Sequence, residues 1–340
     1  MTGAAVLRWG VLGTAGINHD VVPAMAAGEG CEVVAIASRT LPRARQEADV
    51  LGIAQAYASY EELLADPGVD AVYISLPNFL HREWVLAAVA AGKHVLCEKP
   101  MAITAADARE MVDAARSAGV LLAEAFMYEH HPRYDLLHAI VRSGEIGAVR
   151  GVSGTFTFDA SDEMGLTAFA GHPGSGAVYD VGCYVVHAAR RLLGTEPLAV
   201  TASAQVSAAH GDIDMMTSAL VEFPDGVSLL LQCGMWTADE DSVRILGSTG
   251  RIEVPSAFFC APGHGDVVVH GGTGTRTEAV PHLTHYTVQA ERFAAAALHG
   301  APLRYPDDDP VLGAAVLEAL TRSWQSHERV LVEPFRAGAR

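Results

Sequence analysis

The segment GKHVLCEKPMAIT, residues 92–104, decides how the first third of the chain reads. Val95, Leu96 and Cys97 form an apolar run suited to a strand covered on both faces. Two charged residues, Glu98 and Lys99, follow at once and are stopped by Pro100. A proline disfavours helical angles at the residue before it, so Lys99 is expected on a stiff, extended corner. Charges at the C-terminal end of a buried strand need a purpose. Downstream, TAADAREMVDAARSAG reads as a helix with Thr104 as N-cap and Gly119 at its end.

Outward from that segment the rhythm repeats. VLRWGVLG, EVVAIAS, DAVYISLP and VLLAEAF are further strand-like runs, with helical stretches over residues 16–27, 41–51 and 81–92 between them. Strands separated by helices of this length predict a doubly wound parallel sheet. After about residue 125 the pattern changes, and a helix near 131–143 leads into VRGVSGTFTF, LAVTASAQVS, MTSALVEFP, VSLLLQCGMW, SVRILGS and GRIEVP. Turn signals such as PDG and STG separate these runs, one helix is expected near 176–193, and two close the chain near 284–298 and 308–327. The expected fold class is an α/β domain over residues 1–125, followed by an α+β domain over 126–340 with a large, mostly antiparallel sheet.

Composition narrows the function. A formal charge of −17 argues against nucleic acid or an anionic membrane surface as the main partner, while leaving room for a local basic pocket. With 50% apolar and 19% charged residues the chain reads as a soluble globular protein. Neither a leader segment nor a continuous apolar span of membrane length is evident. Cys31, Cys97, Cys183, Cys233 and Cys260 lie far apart and outside any C-x-x-C spacing, which fits reduced core thiols in a cytoplasm and no metal site.

The first strand ends in Gly13-Thr14-Ala15-Gly16-Ile17-Asn18. Glycine in a tight strand-to-helix turn lets the backbone approach a pyrophosphate held at the helix N-terminus. Ala15 and Asn18 stand where G-x-G-x-x-G has its second and third glycines, so the turn also reads as an ordinary strand-turn-helix. The second strand ends in Ala37-Ser38-Arg39-Thr40, without the acidic residue that meets a free ribose 2′-hydroxyl. A hydroxyl and a guanidinium suit a 2′-phosphate. NADP(H) is expected, with NAD(H) the alternative.

In GSGAVYDVGCYVVHAARRLLG, Asp180, Tyr184 and His187 stand at i, i+4 and i+7 on one helical face. They read either as a polar site or as a helix-start bond plus two core side chains with satisfied tips. Lys99 shifts that balance, because a carbonyl/alcohol interconversion needs a proton donor or acceptor. A tyrosine titrates near ~10, and a neighbouring ammonium favours its charged form. The C-terminal edge of a parallel sheet is also where open α/β folds bind ligands.

Together, GVLGTAGIN, ISLPNFLH, GKHVLCEKP, EAFMYEHHP, GSGAVYDVGCYVVHAAR and SVRILGSTGRIEVP resemble the Gfo/Idh/MocA family of glucose–fructose oxidoreductase and inositol dehydrogenase. The resemblance covers essentially the whole chain and is nearest the branch of dihydrodiol dehydrogenases and NADP-dependent xylose dehydrogenases. It implies a Rossmann domain, a C-terminal domain whose open sheet forms a subunit interface in a homodimer or homotetramer, and a carbohydrate, cyclic polyol or dihydrodiol substrate. By position, Lys99 would meet the nicotinamide ribose and a substrate hydroxyl. Tyr184 would move the proton, Asp180 would orient the substrate, and His187 would face the ligand. Ser75, Pro77, Asn78 and His81 match the segment passing the cofactor, and Glu98 lies beside the nicotinamide. Glu129 replaces an arginine of that branch after FMY, which on this reading turns a positive charge near the pocket negative. A 3-ketoreductase of deoxysugar biosynthesis and a non-catalytic NADP-binding regulator are the competing expectations.

Overall fold

The computed structural model describes residues 5–161, 171–259, 266–272, 274–281 and 283–333. Two compact units divide the chain: Met1–Ala102 with Ala106–His130 and Leu283–Pro310, and Ile103–Ala105 with His131–His282 and Val311–Arg340. In the first unit β1 (Leu7–Leu12), β2 (Cys31–Ala37), β3 (Gln55–Tyr57), β4 (Ala71–Ile74), β5 (His94–Cys97) and β6 (Leu122–Glu124) form a parallel sheet ordered β3-β2-β1-β4-β5-β6. This is the doubly wound order of dinucleotide-binding domains, with its switch point between β1 and β4. Helices α1 (Asn18–Ala26), α2 (Leu41–Leu51), α3 (Tyr60–Leu64), α4 (Asn78–Ala90) and α5 (Ala105–Ala118) make the crossovers. β3 and α3 are too short to leave a periodic signal; α3 is started by Ser59, whose Oγ accepts from the Glu62 amide at 3.2 Å.

The second unit holds α6 (Pro132–Ser143), β7 (Val149–Asp159), a π-helical turn at Val178–Gly182 and α7 (Cys183–Leu193). β8 (Ala199–Ser207), β9 (Ile213–Glu222), β10 (Ser228–Gly234), β11 (Trp236–Gly247), β12 (Arg251–Pro255), β13 (Val267–Gly271), β14 (Gly274–Glu278) and β15 (Val330–Leu331) complete a sheet ordered β14-β13-β12-β11-β7-β10-β9-β8-β15. Its pairings are antiparallel except for β10 with β7. Helix α7 packs on β7 and β10. Along β10, Leu229, Leu231 and Cys233 are buried while Leu230 and Gln232 are exposed, so the side chains alternate between a covered and an open face.

The expected boundary at residue 125 is displaced. The first unit runs on through His130 and takes back α8 (His285–His299), because Ala290, Phe293 and Ala294 bury against its core. Phe293 meets Trp9 with ring centroids 5.0 Å apart. Such a return leaves no trace in local pattern, since the apolar face of α8 would suit either unit. The last helix, α9 (Asp309–Ser326), leads to β15. Cys260 lies outside the described residues; Cys31 is half-buried, and Cys97, Cys183 and Cys233 are buried.

Candidate active site

In the first unit the C-terminal ends of β1, β2, β4 and β5 share one edge of the sheet. Gly13 follows β1 with φ +110°, and a Cβ there would come within 3.1 Å of the Ser75 carbonyl oxygen and 3.0 Å of Leu76. Only glycine allows that approach. The Asn18 amide donates to the Ala15 carbonyl at 3.1 Å, and Asn18 Nδ2 donates to the Gly13 carbonyl at 3.0 Å from a fully buried position. Asn18 therefore closes the turn from within, filling the third-glycine position with an amide that the turn uses. Thr14, Ala15 and Ile17 line the entry to α1, whose His19 and Asp20 amides donate to the Gly16 and Ile17 carbonyls at 3.1 Å each. Ser75 donates from Oγ to the Leu12 carbonyl at 3.3 Å, and Pro77 and Asn78 open α4. The residues thus fit a dinucleotide.

Ser38 is buried at the end of β2, and Arg39 is exposed. Arg43, which sequence reading passed over, donates from Nε to Thr14 Oγ1 at 2.7 Å. Burial pushes the Tyr60 phenol up, while the charges of Arg39 and Arg43 pull it back, so both guanidiniums stand in its field. Arg39 precedes the extended N-cap Thr40 and Arg43 stands third in α2, so two arginines within five residues at the helix start are the signal that identifies the pair.

Beyond β5, the Tyr73 hydroxyl donates to Glu98 Oε1 at 2.7 Å, and the Lys99 amide donates to Glu98 Oε2 at 3.2 Å. The Lys99–Pro100 bond is cis. His81 lies under this corner. It is fully buried, with Nδ1 2.9 Å from the Pro100 carbonyl and Nε2 2.7 Å from the Leu76 carbonyl. Burial pushes its pKa down. Its contribution is to tie the start of α4 to the Lys99 corner. Tyr286 of α8 was also missed: burial first, then the charges of Glu98 and Asp20, push its phenol up, with Lys99 acting the other way. It joins the site only through the return of α8.

Glu129 requires a correction. It is fully buried, and its Oε1 lies 3.4 Å from Arg304 Nη2, so its charge is met inside the first unit and does not line a pocket as a lone negative group. The arginine comes from the stretch after α8, which proximity in sequence could not reveal.

In the second unit Asp180, Tyr184 and His187 share the continuous helix formed by the π turn and α7. Asp180 is half-buried and its amide donates to the Gly176 carbonyl at 3.0 Å; Tyr184 and His187 are buried. The Tyr184 ring packs against Phe156 and Phe258, at 5.2 and 5.4 Å between centroids. The start of this helix is held by Asp214 of β9, a residue the sequence did not flag. Asp214 Oδ2 accepts from the Val178 amide and from Thr217 Oγ1, both at 2.9 Å. Burial pushes the Asp214 carboxyl up to about 6 in spite of these bonds. Gly176 has φ +103°, and a Cβ there would run into the Asp214 side chain, so glycine is required for the cap to form.

A family model described as an oxidoreductase family with an NAD-binding Rossmann fold matches residues 7–126, and the GFO/IDH/MocA C-terminal domain matches residues 134–253. The chain is 39% identical to a D-xylose 1-dehydrogenase (NADP(+)) of Haloferax volcanii, over 93% of this chain and 97% of that protein. It is 33% identical to the trans-1,2-dihydrobenzene-1,2-diol dehydrogenase of Xenopus laevis, over 82% of each. Among solved structures, a 3-ketoreductase of Actinomadura kijaniata, KijD10, in complex with NADP and TDP-benzene is similar with a TM-score of 0.87 and 31% identity, covering 94% of this chain and 98% of that one. A lysine-to-alanine and a tyrosine-to-phenylalanine mutant of that reductase have been crystallised with the same ligands.

Proposed function

The chain belongs to the Gfo/Idh/MocA oxidoreductase family, and from that premise we propose that it is an NADP-dependent dehydrogenase or reductase acting on a CH–OH or keto carbon of a pyranose sugar, cyclic polyol or dihydrodiol. The observation that carries the cofactor reading is Arg43 bonded to Thr14, together with Arg39 and no carboxylate at the end of β2. Gly13, Thr14, Ala15 and Ile17 would hold the pyrophosphate, Ser38, Arg39 and Arg43 the 2′-phosphate, and Ser75, Pro77, Asn78 and Glu98 the remainder. The nicotinamide supplies or takes up the hydride. Tyr184 donates or accepts the proton at the reacting oxygen, and the Lys99 ammonium favours the tyrosinate form. Asp180 orients the substrate hydroxyls, with His187 a neighbour on the same helix. We place the enzyme in the cytoplasm; no helix among the described residues is long and apolar enough to cross a membrane.

Calorimetric titration with NADPH and NADH in parallel tests the cofactor reading. NADPH is expected to bind at least about tenfold more tightly, since charge-assisted bonds to a phosphate are the strong ones. Arg39→Ala or Arg43→Ala should each cost about tenfold in NADPH affinity and leave NADH nearly unchanged. Preference for NADH removes the 2′-phosphate argument, and binding of neither removes the cofactor assignment.

A second reading, reduction of a 3-keto group on a nucleotide-linked deoxysugar, is supported by the likeness to the TDP-benzene complex. Protection of the protein by dTDP in a thermal melt distinguishes it from action on free sugars. The open face of the second unit's sheet supports a homo-oligomer. Leu230 stands beside Leu220 on neighbouring strands, and the two are 59% and 39% exposed. Analytical ultracentrifugation should give a dimer or tetramer that Leu230→Asp shifts towards monomer; a monomeric wild type would end this assignment.

A further inference from the structure

Between β12 and residue 259 the backbone of Ser256–Phe259 is gripped from two sides. Arg133, buried in α6, donates from Nη1 to the Ser256 carbonyl and from Nη2 to the Ala257 carbonyl, each at 2.7 Å. The Tyr134 hydroxyl donates to the same Ala257 carbonyl at 3.2 Å. From β11, Asp241 accepts from the Phe258 amide at 2.9 Å and from the Phe259 amide at 2.8 Å. Ser256 takes φ +50°, an uncommon conformation for a side chain other than glycine. Burial pushes the Asp241 carboxyl up, against the pull of these amides and of Arg133. Burying two charges is costly, and apolar packing alone would hold a loop more cheaply.

The grip fixes two aromatic rings next to Tyr184. Phe258 is buried and stacks on Phe156 at 5.3 Å between centroids. Phe259 is 42% exposed, 5.8 Å from the Phe156 ring and 6.4 Å from the Tyr184 ring. The exposed part of a phenyl ring beside Tyr184 is an apolar surface that a further apolar face can cover favourably. Through the Phe259 amide the clamp holds the backbone that carries this ring as well as Phe258.

Resting on the reading of Tyr184 as the proton-transfer group, we propose that Phe259 is a specificity-determining platform for the C–H face of a cyclic substrate, and that Arg133 and Asp241 are the positioning residues that set it there. The substrate class is a ring with a continuous apolar face, in preference to an open-chain polyol. The hydroxyls of such a ring point outward from its edge, leaving one face free to lie on the phenyl group.

Steady-state kinetics with NADP+ over a panel of pyranoses, cyclic polyols, trans-1,2-dihydrobenzene-1,2-diol and open-chain polyols test this. Phe259→Ala is expected to raise KM for the accepted ring substrate about three- to tenfold, with kcat changed less than about twofold. Phe259→Tyr should restore KM. Asp241→Asn should raise KM similarly, and adding Phe259→Ala to it should raise KM no further, because both act through one ring. Arg133→Lys serves as the second clamp variant should Asp241→Asn fail to fold. An unchanged KM in Phe259→Ala, additive effects in the double variant, or a wild type that prefers open-chain polyols overturns the inference while leaving the oxidoreductase reading intact. A wild type that binds NADPH but turns over none of the panel overturns both.

Discussion

Tyr184→Phe is expected to lower kcat by about 10²- to 10⁴-fold, the range that positioned general acid–base groups contribute. The substitution removes one hydroxyl and keeps the ring, which is buried against Phe156 and Phe258, so packing is preserved. NADPH affinity should stay within about twofold, because the phosphate turn and the arginine pair belong to the first unit and are untouched. Lys99→Ala should lower kcat comparably and also weaken cofactor binding, since this residue is assigned to both partners. Effects of groups that act as a unit are not additive, so the double variant should be little worse than either single one. In the wild type, kcat should change with pH through a group that Tyr184→Phe removes. Near-full activity in both single variants on an accepted substrate would refute the assignment of proton transfer.

How much of this was open to sequence reading depends on the distance between partners along the chain. The β5 corner was legible because strand, charges and proline are contiguous, and the glycine turn after β1 because six residues contain it. The helix bearing Asp180, Tyr184 and His187 was legible for the same reason, although the π turn at its start was not. Arg43 could have been found, since it stands only four residues after Arg39, at the start of α2. Tyr286 and Arg304 could not, because they join their partners only when α8 packs on Trp9. Glu129 was placed near a pocket because it stands where the resembled branch has an arginine, while its partner Arg304 comes from beyond α8. His81 was matched to a segment that passes the cofactor, and its ring nitrogens lie against the Pro100 and Leu76 carbonyls, which the segment alone did not reveal. A motif locates a backbone segment; which way a buried side chain turns is decided by acceptors elsewhere.

Asp214→Ala should disable the enzyme from a position outside the substrate face. The Asp214 carboxylate accepts from the Val178 amide at the opening of the helix that bears Tyr184 and from Thr217, and removing it leaves buried donors unmet. Such losses cost about 1–3 kcal/mol each, and helix-start caps contribute in the same range. The π turn that carries Asp180 should loosen, lowering kcat together with the thermal midpoint. Gly176→Ala should have a related effect, because its Cβ would displace the same carboxylate from a backbone at φ +103°. The conservative variant separates charge from shape. With a folded pKa of about 6 against about 3.9 in the unfolded chain, native Asp214 keeps a proton that the unfolded chain has released between those values. The native state then binds more protons, so this group's contribution to stability falls as pH rises through that window, by on the order of 3 kcal/mol in total. Asp214→Asn does not titrate. Its stability relative to wild type should therefore rise between pH 4.5 and pH 7.5, measured as the difference between the two thermal midpoints at each pH. A difference that moves the other way would mean that the buried carboxyl is held ionised by its donors, and that the cap is a stronger anion site than its burial implies.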